Sequence, residues 1–182
     1  MLAIAALLDA AHDEKVQGLW RDLEERFEVK IPYHDPLAHI SFHVFEDLGV
    51  DLGRFQVDLR EWVAHRPAFE VIVGGLGLFP GPRPVLYLPV VRGPVLNHFH
   101  QDMTDWLAQR GLEANGLYDP ARWIPHITLA LAEHCMASIP EMIQYLCHRP
   151  ILWKVRLDRI AVISETRSAK PGLEVEIPLG AP

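Results

Sequence analysis

The chain has 182 residues, 49% of them apolar, and a formal net charge of −7. That length supports one domain, or one duplicated domain with two lobes, with enough apolar side chains for a core. The acidic balance excludes the basic footprint of a protein that coats long nucleic acid, and two cysteines, Cys135 and Cys147, give no disulfide framework and point to a reducing compartment.

The first candidate element is an apolar strand over residues 3–8. It has no basic residues before it and ends at Asp9, so it reads as a strand and not a signal peptide. A helix over 13–27 follows, with Val16, Leu19, Trp20, Leu23 and Phe27 at helical spacing and Asp13 as N-cap. Residues 38–45 form a second strand, and the next helix carries Phe55, Leu59, Trp62 and Val63. A strand over 68–78 leads into the Pro- and Gly-rich segment 79–84, a stiff turn. Then come a strand over 85–91 and a helix over 94–109 with Leu96, Phe99, Met103 and Leu107 on one stripe. Pro94 stands at the start of this helix and Gly111 just past its end. A strand over 125–132, a helix bearing Ile139, Met142, Ile143 and Leu146, a strand over 151–164 and an alternating strand over 173–178 complete the chain. No apolar run approaches the ~20 residues of a membrane span. The expectation is a soluble cytoplasmic monomer with no membrane and no protein partner.

The order strand, helix, strand, helix, strand occurs twice. His65-Arg66-Pro67 and His148-Arg149-Pro150 each precede the last strand of a half. We read an internal repeat, with approximate lobes 1–82 and 83–182 in a single bilobal domain. The fold class expected is α+β, a duplicated β-α-β-α-β unit with antiparallel sheets around a central cleft.

Two tripeptides lie at matching places in that repeat: His39-Ile40-Ser41 and His126-Ile127-Thr128, their His 87 positions apart. Strand side chains alternate faces. His39 and Ser41 therefore share one face, with Ile40, Phe42 and Val44 on the other. His126 and Thr128 likewise oppose Ile127, Leu129 and Leu131. A single His-x-Ser/Thr is a weak pattern, and a lone strand His is more often structural. Two copies related by a pseudo-twofold axis set two imidazoles across one cleft, which suits in-line displacement at phosphorus. One His takes a proton from the attacking oxygen while the other gives one to the leaving oxygen. Ser41 and Thr128 are then candidate donors to the non-bridging phosphate oxygens. The scheme needs no metal and no cofactor.

These residues resemble the 2H phosphoesterase superfamily, specifically its 2′-5′ RNA ligase-like branch. The resemblance covers nearly the whole chain and is most specific over 123–130, Trp-Ile-Pro-His-Ile-Thr-Leu-Ala. The strand with Gly74, Gly75, Gly77 and Phe79 also looks like the glycine-containing strand between that family's motifs. The resemblance implies His39 and His126 as the catalytic pair and Ser41 and Thr128 as phosphate-binding residues. It also implies RNA termini or small cyclic-phosphate nucleotides as partners. Ser41 stands where Thr is common, and Ala130, Leu131 and Ala132 stand where some ligase-branch members carry a basic residue. The pattern thus speaks more for phosphoesterase chemistry than for RNA ligation.

Three further residues are candidate substrate contacts. His43 extends the His39–Ser41 face by strict alternation. Trp123 and Tyr33 precede the two His-strands and offer rings on which a nucleobase can stack; a packed core role is the competing reading for His43 and Trp123. Arg83 and Arg122 lie near the expected cleft edges, where a guanidinium suits phosphate. His98 and His100, two apart on a helix, do not share a face and make a poor metal pair. No glycine run precedes a helix in the manner of a phosphate-binding loop.

Overall fold

Asp9 ends the first strand and starts the first helix in the same step. In the computed structural model, which describes residues 1–29, 37–131, 136–164 and 172–180, β1 is Leu2–Leu7 and α1 is Ala10–Phe27. The Asp9 carboxylate accepts the His12 backbone N–H at 3.0 Å, which makes Asp9 the N-cap rather than Asp13. Asp13 acts elsewhere. Its carboxylate accepts the Ala38 N–H at 2.9 Å and so ties α1 to the start of the next strand. That strand, β2, is His39–Phe45, followed by α2, Leu52–Ala64, capped by Asp51.

The predicted strand over 68–78 is two strands, β3 (Phe69–Gly74) and β4 (Gly77–Phe79). Gly75 at φ +90° makes the break, a conformation that L side chains rarely adopt. Then come β5 (Val85–Pro89), α3 (Pro94–Ala108), β6 (His126–Leu131) and α4 (Ile139–Cys147). The predicted strand over 151–164 also divides, at Asp158, into β7 (Leu152–Leu157) and β8 (Arg159–Ser164); β9 is Gly172–Pro178. The apolar helical positions read from the sequence are buried, apart from the partly buried Phe27 and Ile143.

The divided strands matter because their parts enter different sheets. One sheet has the order β2-β1-β8-β9, all antiparallel. The other pairings are β4-β5-β6 and β3-β7, joined where Val73 bridges Val90 just past β5. The second half thus lends β8 to the sheet of β1, and the first half sets β3 beside the sheet of β5. The division at 82/83 therefore describes the sequence repeat and not the sheets. This α+β architecture places β2 and β6 each at a sheet edge, and the two edges approach one another at the centre of the molecule. No helix among the described residues is long and apolar enough to cross a membrane.

Candidate active site

The two tripeptides open the two central edge strands. Each is followed by an irregularity at the same place. Along β2, Ser41 pairs with Ala5 and His43 with Ile4, so Phe42 is an extra residue. Along β6, Thr128 pairs with Tyr87 and Ala130 with Leu86, so Leu129 is extra. A bulge of this kind bends its strand and resets which face each later residue takes. Up to the hydroxyl residue alternation holds: His39, Ser41, His126 and Thr128 are half-buried, whereas Ile40, Phe42, Ile127 and Leu129 are buried. Beyond it the phase slips. His43 and Ala130 turn inward, Val44 is only partly buried, and Leu131 turns outward to 43% exposure.

The two imidazoles are held identically. His39 Nδ1 is 2.8 Å from the Leu37 carbonyl oxygen, and His126 Nδ1 is 2.7 Å from that of Ile124. A carbonyl only accepts, so each Nδ1 carries its proton and donates it. Each neutral ring then presents Nε2 as its lone-pair nitrogen. Burial pushes both rings below the ordinary imidazole pKa, against the opposing pull of the carbonyls; at His39 the neighbouring His126 adds to the depression. A proton on His126 thus disfavours one on His39.

Two tryptophans tie the motifs together from opposite sides. Trp123, in the segment before β6, donates its indole N–H to the Ser41 carbonyl at 3.0 Å. Trp20, on α1, donates to the Thr128 carbonyl at 3.0 Å. Edge strands leave such carbonyls without a ladder partner. Here each half satisfies the other's, at the residue that carries the motif hydroxyl. Two further edge carbonyls are filled in the same region: Phe42 accepts from His100 Nε2 at 3.2 Å, and Val44 from the Asn115 N–H at 2.8 Å.

The His126 ring also has an aromatic support that sequence reading missed. Phe79 meets it edge-on at 5.0 Å, and Tyr87 lies 5.2 Å away. Phe79 and Tyr87 stack on each other at 4.2 Å. A Cβ at Gly77 would overlap the Tyr87 ring, so this glycine makes the space in which that ring lies. The alternation of β5 does point Tyr87 toward Thr128, its partner across the ladder; that pairing was the available signal.

The remaining predicted contacts divide. His43 does not line a cleft with His39: the bulge buries it to 2% exposure, against His100 at 4.8 Å and with Nε2 3.3 Å from Thr104 Oγ1. Burial first, and His100 beside it, push its pKa down to about 3. Trp123 is likewise in the core at 2% exposure, stacked on His100 at 3.8 Å with rings 6° apart. Its ring packs on His100 and Phe42, and the residue also lines the pocket beside His126. Tyr33 lies outside the described residues. Arg122 lines a pocket beside His126. Arg83 is exposed in the turn before β5. His98 is exposed and His100 buried, as expected of residues on different helix faces. Among the described residues no group of three or more His, Cys, Asp or Glu is placed to hold a metal ion.

Known structures share this fold. No curated protein matches the chain in sequence. In structure, TT0787 of Thermus thermophilus superposes with a TM-score of 0.70 over 99% of this chain and 98% of its own, at 16% identity. A crystal structure described as a phosphoesterase gives 0.64 over 98% and 97%, at 19% identity. E. coli LigT complexed with 3′-AMP gives 0.61 over 98% and 97%, also at 19% identity. At such identities the likeness establishes the fold. The family model of the 2′-5′ RNA ligase superfamily matches residues 9–169, which include both His-strands, and the chain belongs to this superfamily, in the 2′-5′ RNA ligase-like branch of the 2H phosphoesterases.

Proposed function

We propose that the protein is a metal-independent phosphodiesterase acting on 2′,3′-cyclic phosphates at RNA ends or on small nucleotides, with His39 and His126 as its acid–base pair. The observation that carries this reading is the matched pair of Nδ1–H locks, which hold two imidazoles in one tautomer with a hydroxyl two residues on. In the reaction a water oxygen attacks phosphorus in line with the ring oxygen that leaves. The neutral His takes the water proton at Nε2 as the new P–O bond forms. The ring P–O bond breaks, and the protonated His gives its Nε2 proton to the departing oxygen, leaving a phosphomonoester. Ser41 and Thr128 donate to the non-bridging oxygens, where charge accumulates. With a 5′-hydroxyl in place of water, the same displacement joins two RNA ends by a 2′-5′ bond. The relatives support a nucleotide ligand: E. coli LigT structures contain 3′-AMP, ATP and NADP+.

The test is incubation with a defined set of 2′,3′-cyclic, 2′-5′ and 3′-5′ substrates in excess EDTA. Turnover of the cyclic phosphates supports the reading. A requirement for added Zn²⁺ or Mg²⁺ contradicts it. Binding of these compounds without turnover by any route favours a module that only captures phosphorylated ends.

A further inference from the structure

Asp13 has no part in the chemistry above, yet it is bonded to the peptide that holds His39. That peptide is the unit joining Leu37 to Ala38. Its carbonyl oxygen accepts His39 Nδ1–H at 2.8 Å, and its N–H donates to Asp13 Oδ1 at 2.9 Å. No described peptide is cis, so this C=O and N–H point opposite ways from one rigid plane. The carboxylate at one end and the imidazole at the other therefore fix the same rotation. Asp13 is itself set in the first turn of α1, where its Oδ2 accepts Gln17 Nε2–H at 2.7 Å. Ala38 is buried, so its N–H depends on this carboxylate for a partner.

The second half is built differently at this point. The equivalent peptide joins Ile124 to Pro125. Its carbonyl accepts His126 Nδ1–H at 2.7 Å, but a proline has no N–H for a side chain to hold. The pyrrolidine ring stiffens that segment instead, and Arg92 donates to the Trp123 carbonyl at 3.1 Å. The other bond of each unit is shared by the halves: Leu8 N–H donates to the Ala38 carbonyl at 3.2 Å, and Val90 N–H to that of Pro125 at 3.0 Å. The two imidazoles, matched in their Nδ1 locks, thus differ one peptide further out. A carboxylate stands behind His39 and a proline behind His126.

An N–H that donates to a carboxylate makes a strong, charge-assisted bond. It also polarises its own peptide, so that the carbonyl at the other end accepts more strongly. We infer that Asp13 is a positioning residue for His39, acting through the Leu37–Ala38 peptide to keep the Nδ1 proton in place. Both roles open to His39 need this. As base, the ring must leave Nε2 unprotonated; as acid, it must carry a proton on each nitrogen, with Nδ1–H on the carbonyl. Without Asp13 the Leu37 carbonyl can rotate, and the ring gains access to the tautomer that blocks Nε2. This inference rests on the phosphodiesterase reading above and adds to it a residue outside the two motifs.

Two perturbations read this bond from its two ends. Asp13→Ala removes the acceptor, and an ester in place of the Leu37–Ala38 amide removes the donor. The readouts are kcat and KM for a nucleoside 2′,3′-cyclic phosphate and the ring-nitrogen NMR shifts of His39 and His126, with folding followed by thermal melting. Asp13→Ala should lower kcat on the order of 10-fold with KM changed by less than about 2-fold, well short of the roughly 10⁴-fold of a wholly wrong tautomer. The His39 ring should pass from the Nδ1–H form to a mixture of tautomers, while His126 keeps its shifts. Asp13→Asn, which retains an acceptor oxygen, should restore most of kcat and the His39 tautomer. The ester should match Asp13→Ala, and the two together should be little worse than either. Full kcat or an unchanged His39 tautomer in folded Asp13→Ala overturns the inference. So do equal changes at His39 and His126, or an Asp13→Asn protein no better than Asp13→Ala. If Asp13→Ala does not fold, the ester variant decides by the same criteria. If the unaltered protein turns over no cyclic phosphate, the phosphodiesterase reading fails, and the ring shifts alone decide whether Asp13 sets His39.

Discussion

His43 and His100 make the fold sensitive to acid in a calculable way. Their rings are stacked within the core, next to Trp123, and burial, the leading cause, pushes their pKa values from 6.5 to about 3 and about 4. Around His100 the Phe42 and Tyr118 carbonyls and Asp119 pull the other way, while Arg92 adds to the depression. Both groups are neutral in the folded protein at pH values where the unfolded chain binds protons. Stability from them is therefore complete above about pH 6.5 and falls as the pH drops toward 4. At pH 5 an unfolded His with pKa 6.5 is almost wholly protonated, so each group costs about 2 kcal/mol relative to pH 7.5, and the two about 4 kcal/mol together. Urea unfolding at pH 7.5 and pH 5 measures this directly. The His43→Phe variant keeps a ring in the stack and removes one titrating group. It should recover about 2 kcal/mol of the acid loss, to which the depressed His39 and His126 also contribute, whatever its stability at pH 7.5. Equal stability of the unaltered protein at the two pH values would refute the reasoning, as would an acid loss unchanged in the variant.

The tryptophan bonds, the glycine and the paired His each carry a further prediction. Replacing Trp123 or Trp20 by benzothienylalanine, which keeps the shape of the indole and lacks its N–H, should cost about 1–3 kcal/mol by leaving the Ser41 or Thr128 carbonyl unsatisfied. It should also lower kcat more than it raises KM, because the strand carrying the hydroxyl loses its anchor; unchanged turnover with lowered stability would show these bonds to be structural only. Gly77→Ala should cost about 1–3 kcal/mol, since the added methyl displaces Tyr87, and turnover should fall with it as Phe79 and His126 lose their support; a neutral substitution in both melting and turnover contradicts this. The pH profile of kcat/KM should be bell-shaped with its maximum below pH 6.5, because both His are depressed in the free protein. The kcat maximum should lie at higher pH, because a bound phosphate anion favours the protonated rings; a kcat/KM optimum above neutrality contradicts this assignment.

The motif residues were legible because they depend only on local alternation: His39, Ser41, His126 and Thr128 all precede the bulges, where period-two reading still holds. His43 was misread because a bulge is a property of the pairing between two strands, and Phe42 looks like any other apolar residue in the sequence. Trp123 was ambiguous for a related reason. An aromatic ring before a motif strand serves equally well as a stacking platform or a core wedge. The His100 ring and the Ser41 carbonyl that hold it in the core are 23 and 82 positions away. The repeat was visible in element order, whereas the exchange of strands between sheets was not. The strand divisions at Gly75 and Asp158 span only one or two residues, with strand-forming apolar residues on both sides. Gly77 was noticed only by resemblance; its physical reason, the space for Tyr87, requires the β4–β5 pairing.

The most direct test of the paired-imidazole account is turnover of a nucleoside 2′,3′-cyclic phosphate by His39→Ala, His126→Ala and the double variant, in EDTA, with melting followed on the same preparations. Each single variant should lose on the order of 10²- to 10⁴-fold in kcat, with a melting transition retained. The double variant should be little worse than either, because the two groups act as one unit. Full activity in either single variant, or losses that multiply in the double one, would contradict the account.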